Sequence, residues 1–156
     1  MMVASRLTLP VPECFAVRLG ENVRLALPAN SVREVAQVAW GDVCPLPGVP
    51  AALLGVVNRS GQLCWVLDLG LFLGLPGVAK EPLPLTVVVV TGGNRRLALV
   101  VTALEGIFTV AQPQPLPLPQ QLQRRYRELL AGLVYRQREA LALVLPETLL
   151  ARLAEI

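Results

Sequence analysis

Positive charge in this chain is carried almost wholly by arginine: thirteen arginines and a single lysine, Lys80, stand among eleven carboxylates, and there is no histidine. The missing histidine removes the commonest general base, the commonest metal ligand and the usual partner of a nucleophilic serine or cysteine. The carboxylates are scattered singly, so no local motif sets an acid beside a base, although folding could bring two together. Cys14, Cys44 and Cys64 are odd in number, widely spaced and free of any C-x-x-C pair. They indicate neither a disulfide framework nor a zinc site, and read as small buried thiols in a reducing cytoplasm. Gly92-Gly93 lacks the lysine and spacing of a phosphate loop and reads as a turn. No catalytic residue, metal ligand or cofactor is therefore assigned, and the chain is expected not to be an enzyme. What the arginines can do is pair in fork geometry with carboxylates, their own or those of an acidic protein partner. The few aromatics do not interleave with the arginines as a base-stacking platform would, so nucleic acid is not an expected partner.

The elements that must position these groups are short. The 156 residues suit one ordinary domain with a real core. Hydrophobic residues make up 54%, yet no apolar run reaches the roughly 18 residues of a spanning helix, so membrane insertion is not expected. Pro10 and Pro12 interrupt the first residues, and no signal peptide is read there. Cys14 to Leu19 and Val23 to Leu27 form a hairpin about Gly20-Glu21-Asn22. Ser31-Val32-Arg33-Glu34 has the spacing of a capping box, and Val32, Val35 and Val38 predict one or two helical turns. Asp42 to Pro50 is a proline-rich loop, and Trp40, beside Gly41-Asp42, is a candidate exposed aromatic. Leu85 to Val90 and Leu97 to Val101 are strands joined by a glycine-rich hairpin, and Gly106 precedes a strand from Ile107 to Val110. The four prolines of 112–119 enforce an extended connection. Gln120 to Ala131 reads as an amphipathic helix with Arg124, Arg125 and Arg127 on a solvated face, ended by Gly132. Leu133 to Tyr135 and Ala140 to Leu145 are a last strand pair, and Pro146 opens a terminal helix over about 146–154 whose Leu149, Leu150 and Leu153 pack inward. Nine or ten short strands without β-α-β alternation argue for an all-β barrel architecture with short helices.

The most specific pattern lies from Gly55 to Leu75: a strand from Gly55 to Asn58, a turn at Arg59-Ser60-Gly61-Gln62, and a strand from Leu63 to Leu69 that Gly70 lets bend. Alternation puts Trp65 with Leu63 and Leu67, which predicts core burial, and Asp68 reads as a structural carboxylate capping a turn near Gly70. The stretch resembles the signature of the CheW-like domain family, G-V-x-N-L-R-G, then V-x-D-L and G-L. Gly55, Asn58, Gly61, Val66, Asp68, Leu69, Gly74 and Leu75 fall in register. Leu130-Ala131-Gly132-Leu133 resembles the family's L-x-G-L, and Glu147-Thr148-Leu149-Leu150 its closing E-K-L-L. The arginine of the hairpin tip is displaced by one residue, to Arg59, and Thr102 and Leu145 replace polar residues, marking a divergent member.

The resemblance implies two intertwined five-stranded SH3-like barrels sharing a core, plus the C-terminal helix, in one domain over 1–156 with a subdomain boundary near 62–66. It implies a cytoplasmic, non-catalytic adaptor that couples the tip of a methyl-accepting chemotaxis-type receptor to a CheA-type histidine kinase in chemotaxis, twitching motility or phototaxis, and that is a monomer when alone. The alternative is an unrelated β-barrel module, such as an RNA-binding barrel. Carried over residue by residue, Val32 and Gly55 are implied at the kinase contact, and Glu34, Asn58 and Arg59 at the receptor contact, facing a groove between the barrels. Glu34 also has its reading as half of a capping box. A strand alternates faces, so a displaced arginine should point away unless local geometry restores it; Arg59 is expected within about 6 Å of Glu34, the range in which charges perturb one another.

Overall fold

The computed structural model describes residues 13–111, 115–120 and 124–154. Its ten strands run β1 Glu13–Leu19, β2 Val23–Pro28, β3 Val32–Val38, β4 Leu53–Arg59, β5 Gln62–Asp68, β6 Leu85–Gly92, β7 Arg95–Val101, β8 Ala103–Thr109, β9 Leu130–Arg136 and β10 Glu139–Val144. Three short helices join them: α1 Leu69–Phe72, α2 Arg124–Leu129 and α3 Pro146–Leu153. The strands make two five-stranded sheets, β8-β1-β2-β10-β9 (barrel I) and β3-β6-β7-β5-β4 (barrel II), as the all-β expectation requires. Each contains one parallel pair, β2 with β10 and β5 with β7, and is otherwise antiparallel.

No boundary falls near 62–66. Hairpin β4–β5 spans that position, with Arg59 opposite Gln62 in one sheet. The chain enters barrel II after Pro28 and leaves it at Thr102, so barrel I is assembled from both sides of an inserted barrel II.

Side-chain alternation explains why the strands read as nearly continuous apolar runs: both faces are covered. Along β6, Val87 and Val89 point into the interior of barrel II, while Val88 and Val90 point into a core between the barrels. Along β7, Ala98 and Val100 face inward and Leu97, Leu99 and Val101 face the shared core. In barrel I, Ala26, Leu141 and Leu143 face inward, and Leu25, Leu27 and Val144 meet the other barrel. Helix α3 closes the shared core with Leu149 and Leu150, its Pro146 standing at the first turn where a missing N–H costs nothing.

Three local expectations are corrected. Val32 to Val38 is a strand, not a helical turn, because it pairs antiparallel with β6 from Val32 opposite Val90 to Val38 opposite Leu85. Ser31 accordingly caps nothing and donates its hydroxyl hydrogen to the Pro28 carbonyl. The helix expected over 120–131 ends at Leu129, since Leu130 onward pairs with β10; residues 121–123 and the Arg125 side chain lie outside the described part. Trp65 is exposed rather than buried, at 41%, because Cys64 and Val66 take the barrel interior and the outward positions near the hairpin tip run past the shared core.

Candidate functional site

The five residues singled out from the sequence lie on β3 and β4, the two edge strands of the barrel II sheet, and of them Glu34 and Arg59 meet. A bulge between Val32 and Glu34 separates their directions. Val32 packs against the shared core, whereas Glu34 lies opposite Val89, on the face that lines the barrel interior. Arg59 follows buried Val57 by two residues and so points to the same side. Both therefore sit where the row of interior residues ends, at the mouth of the barrel. Arg59 donates from Nε to Glu34 Oε1 at 3.1 Å and from Nη2 to Oε2 at 2.9 Å, a bidentate pair well within the expected range. The displaced arginine reaches its partner because the hairpin is in regular register to its last pair and turns tightly through Ser60 (φ 53°) and Gly61 (φ 80°). Asn58 is exposed, and its Oδ1 accepts from Gly61 N at 3.0 Å, closing that turn. The hydrogen bond from Arg59 holds the Glu34 carboxyl below its ordinary value, with Arg96 adding a weaker pull.

Gly55 is buried, and its surroundings are the chain's own. With φ at +147°, a Cβ there would lie 2.2 Å from the Cys44 carbonyl oxygen, which accepts a hydrogen bond from Val56 N at 2.9 Å. Glycine is required so that the loop before β4 can lie against the strand.

A groove of ≈ 630 Å³ does run between the barrels, walled by the β1–β2 turn on one side and by residues 75–86 and the end of β7 on the other. Glu34, Asn58 and Arg59 do not line it: they lie at the other end of β6, near Val89, whereas the groove touches Leu85 and Thr86. Two residues shape its wall. Asp68, buried at 1%, caps α1 by accepting from Leu71 N at 3.1 Å and also accepts from Val78 N and Ala79 N, each at 3.0 Å. Trp40 donates its indole N–H to the Leu83 carbonyl at 2.9 Å, which fixes the far end of the same segment and leaves the side chain only partly exposed.

Sequence reading missed a second ion cluster, at the mouth of barrel I. Glu105 on β8 pairs with Arg24 at 2.8 Å, Arg18 at 3.1 Å and Arg136 at 3.9 Å. Glu139 pairs with Arg136 at 2.6 Å and Arg24 at 3.4 Å. The Arg24 hydrogen bond, with help from Arg18, holds the Glu105 carboxyl below its ordinary value. Strand by strand this is the counterpart of the first site. Glu34 and Glu105 are third in β3 and β8, Arg59 and Arg136 close β4 and β9, and both Gly55 and Gly132 have φ near +148° against a crossing carbonyl. The signal was present as an internal repeat, Leu53-x-Gly55-x-Val57-x-Arg59 against Leu130-x-Gly132-x-Val134-x-Arg136, and Arg24-Leu25-Ala26-Leu27 against Arg96-Leu97-Ala98-Leu99.

Nothing in this arrangement supplies an acid, a base and a nucleophile around a common point; the described residues contain no cluster of three metal-ligating side chains, and no helix is long and apolar enough to cross a membrane. Compared with known proteins, the chain matches the CheW-like domain model over residues 13–154. It is 32% identical over 117 residues to the chemotaxis protein CheW of Rhizobium meliloti (strain 1021), covering 74% of this chain and 72% of the relative. It is 28% identical over 138 residues to a probable chemotaxis protein CheW of Rhizobium etli, covering 88% and 86%. The crystal structure of the scaffolding protein TtCheW from Thermoanaerobacter tengcongensis superimposes with a TM-score of 0.74 at 16% identity, over 86% of this chain and 88% of that one.

Proposed function

The chain belongs to the CheW-like domain family and has a chemotaxis adaptor role, and from that premise we propose that it links the tip of a methyl-accepting receptor to a CheA-type histidine kinase in the cytoplasm, as a monomer until it meets them. The observation that carries this reading is the family match across residues 13–154. The geometry supports it: the conspicuous polar group of barrel II is a surface ion pair suited to contact, with no reaction chemistry about it.

The receptor contact is assigned to Glu34, Asn58 and Arg59, whose locked side chains present a rigid polar surface at the barrel mouth. The kinase contact is assigned to the neighbourhood of Val32 and Gly55. Gly55 acts there by letting the loop at Cys44 approach, not by touching the partner itself. Two surfaces are needed because an adaptor holds both partners at once, and modest contacts suffice when a second link forms at high effective concentration.

Binding of the purified chain to a kinase regulatory domain and to a receptor-tip peptide, each alone and then together, tests the reading. A ternary complex is expected from a chain that runs as a monomer in light scattering. Arg59→Ala should weaken the receptor by tenfold or more, about 1.4 kcal/mol, and leave the kinase within error; Val32→Ala should do the reverse, with circular dichroism confirming the fold. Mutually exclusive partners, or equal loss of both in either variant, would overturn the assignment.

A further inference from the structure

The two barrels act as internal controls for each other, and they differ sharply at one place. Outward positions of β5 near its hairpin carry Leu63, 69% exposed, and Trp65, 41% exposed; the same positions of β10 carry Ala140 and Ala142. On the neighbouring strand, Arg95 in β7 stands where β2 has Val23. The fold therefore tolerates small side chains here, and barrel II displays large apolar ones to solvent, which is a cost unless something covers them.

Beside these residues is a pocket of ≈ 250 Å³, walled by Val49, Leu53, Trp65, Leu150 and Leu153, with Arg95 as its one charged member. It is smaller than the roughly 300–1,000 Å³ of sites that enclose a drug-sized ligand, and suits a single large side chain. Arg95 forms no salt bridge with any described residue, whereas its neighbour Arg96 lies close enough to Glu34 to act on it. Tryptophan and arginine beside a fillable apolar pocket are the residue types that concentrate binding energy in protein interfaces.

We propose that this surface is a docking site for an acidic segment of a protein partner, which inserts one large apolar side chain between α3 and Trp65 and sets a carboxylate on Arg95. It includes neither the Glu34–Arg59 pair nor any residue of the groove, so the receptor assignment stands or falls independently of it.

Selection from a random dodecapeptide library on the intact protein, with Trp65→Ala as counter-selecting bait, tests the proposal. Peptides that pair a phenylalanine, leucine or tryptophan with a nearby aspartate or glutamate should be enriched, and should bind Trp65→Ala at least tenfold more weakly. On Arg95→Glu the same selection should turn toward lysine and arginine, a reversal that a purely structural role for Arg95 would not produce. Circular dichroism checks each bait, and Leu63→Ser replaces Trp65→Ala if the latter fails to fold. Failure to enrich any peptide that distinguishes the baits, enrichment without acidic residues, or no change on Arg95→Glu would overturn it. So would a concentration-dependent dimer that Trp65→Ala dissolves, which would make a second copy the occupant.

Discussion

At the mouth of barrel II one glutamate holds one arginine, Glu34 with Arg59; at the mouth of barrel I two glutamates, Glu105 and Glu139, are shared among Arg18, Arg24 and Arg136. The positions match, so a common frame calls for a carboxylate and guanidinium where the apolar interior meets water. The surplus differs. Barrel I shares its extra charges within a closed network, whereas barrel II keeps a simple pair and sets apolar residues nearby with Arg95, which has no salt bridge to a described residue. Barrel I is thus the more self-contained end, and barrel II the one with unsatisfied surface.

The sharpest way to break the equivalence is at the paired glycines. A Cβ at Gly55 would meet the Cys44 carbonyl oxygen at 2.2 Å, and one at Gly132 the Leu116 carbonyl oxygen at 2.7 Å, both with φ near +148°. Backbone strain and overpacking together should make Gly55→Ala cost about 4 kcal/mol and Gly132→Ala about 2–3 kcal/mol, read from urea midpoints at unchanged m. Equal losses would mean that the two crossings are equally yielding.

Next is a position where the barrels diverge outright. Asp68 caps α1, while its counterpart before α3 is Leu145, which makes no side-chain cap. Asp68→Ala would leave three part-buried N–H groups without their acceptor and should cost about 2 kcal/mol. Hydrogen exchange should accelerate at Val78 and Ala79, the groove wall, but not at the start of α3. Unchanged exchange at those two amides would show that the segment is held by its packing and by Trp40.

How far the sequence carried these features depends on range. Strands were legible because their turns are marked locally, by Gly20, Gly93 and the Ser60-Gly61 pair, and because alternation has a two-residue period. The Arg59–Glu34 pair was expected from the resemblance, although β3 and β4 are the two edge strands of the barrel II sheet. The helix expected at Ser31 to Glu34 failed because the valines spaced by three share no face: Val32 packs on the shared core, Val35 is exposed and Val38 lies in the barrel II interior, and pairing with β6 decided for strand. Trp65 failed because alternation says which residues share a face but not where the covering layer stops. The Glu105 cluster draws its members from β1, β2, β8, β9 and β10, and only the internal repeat could have announced it.

A smaller effect concerns acid. Glu34 and Glu105 are held below their ordinary value of 4.5 by arginine hydrogen bonds. Their contribution to stability is therefore fully present above that value and is lost as pH falls through the depressed folded values. Both are partly exposed, so solvent screening keeps the effect modest. Glu105→Gln should flatten the acid limb of the melting-temperature profile more than Glu34→Gln, since it releases three arginines rather than one; the opposite order would break the contrast between the mouths.

The smallest signal comes from the thiols. Cys14 and Cys64 are interior residues of barrels I and II, and Cys44 is exposed. Burial pushes the Cys14 thiol up to about 11 and raises that of Cys64, so at pH 8 a disulfide reagent should label Cys44 quickly and the other two only on opening. In urea below the midpoint, Cys14 and Cys64 should become reactive together, because one shared core joins the barrels. Separate onsets would show that they unfold as independent units.

The insertion of barrel II within barrel I also sets a timetable during synthesis. Barrel II is complete once residue 101 has emerged, whereas β1 and β2 wait for partners in β8 and β10. At the usual 5–20 residues per second, the interval between residue 101 and the end of β10 at residue 144 lasts about 2 to 9 s. Through it, Val17, Leu25 and Leu27 have one apolar surface available in the native arrangement, the outer face of barrel II offered by Val88, Val90, Leu97 and Leu99. The barrel made first thereby serves the nascent chain as a template, shielding the earliest hairpin until the last strands arrive to close over it.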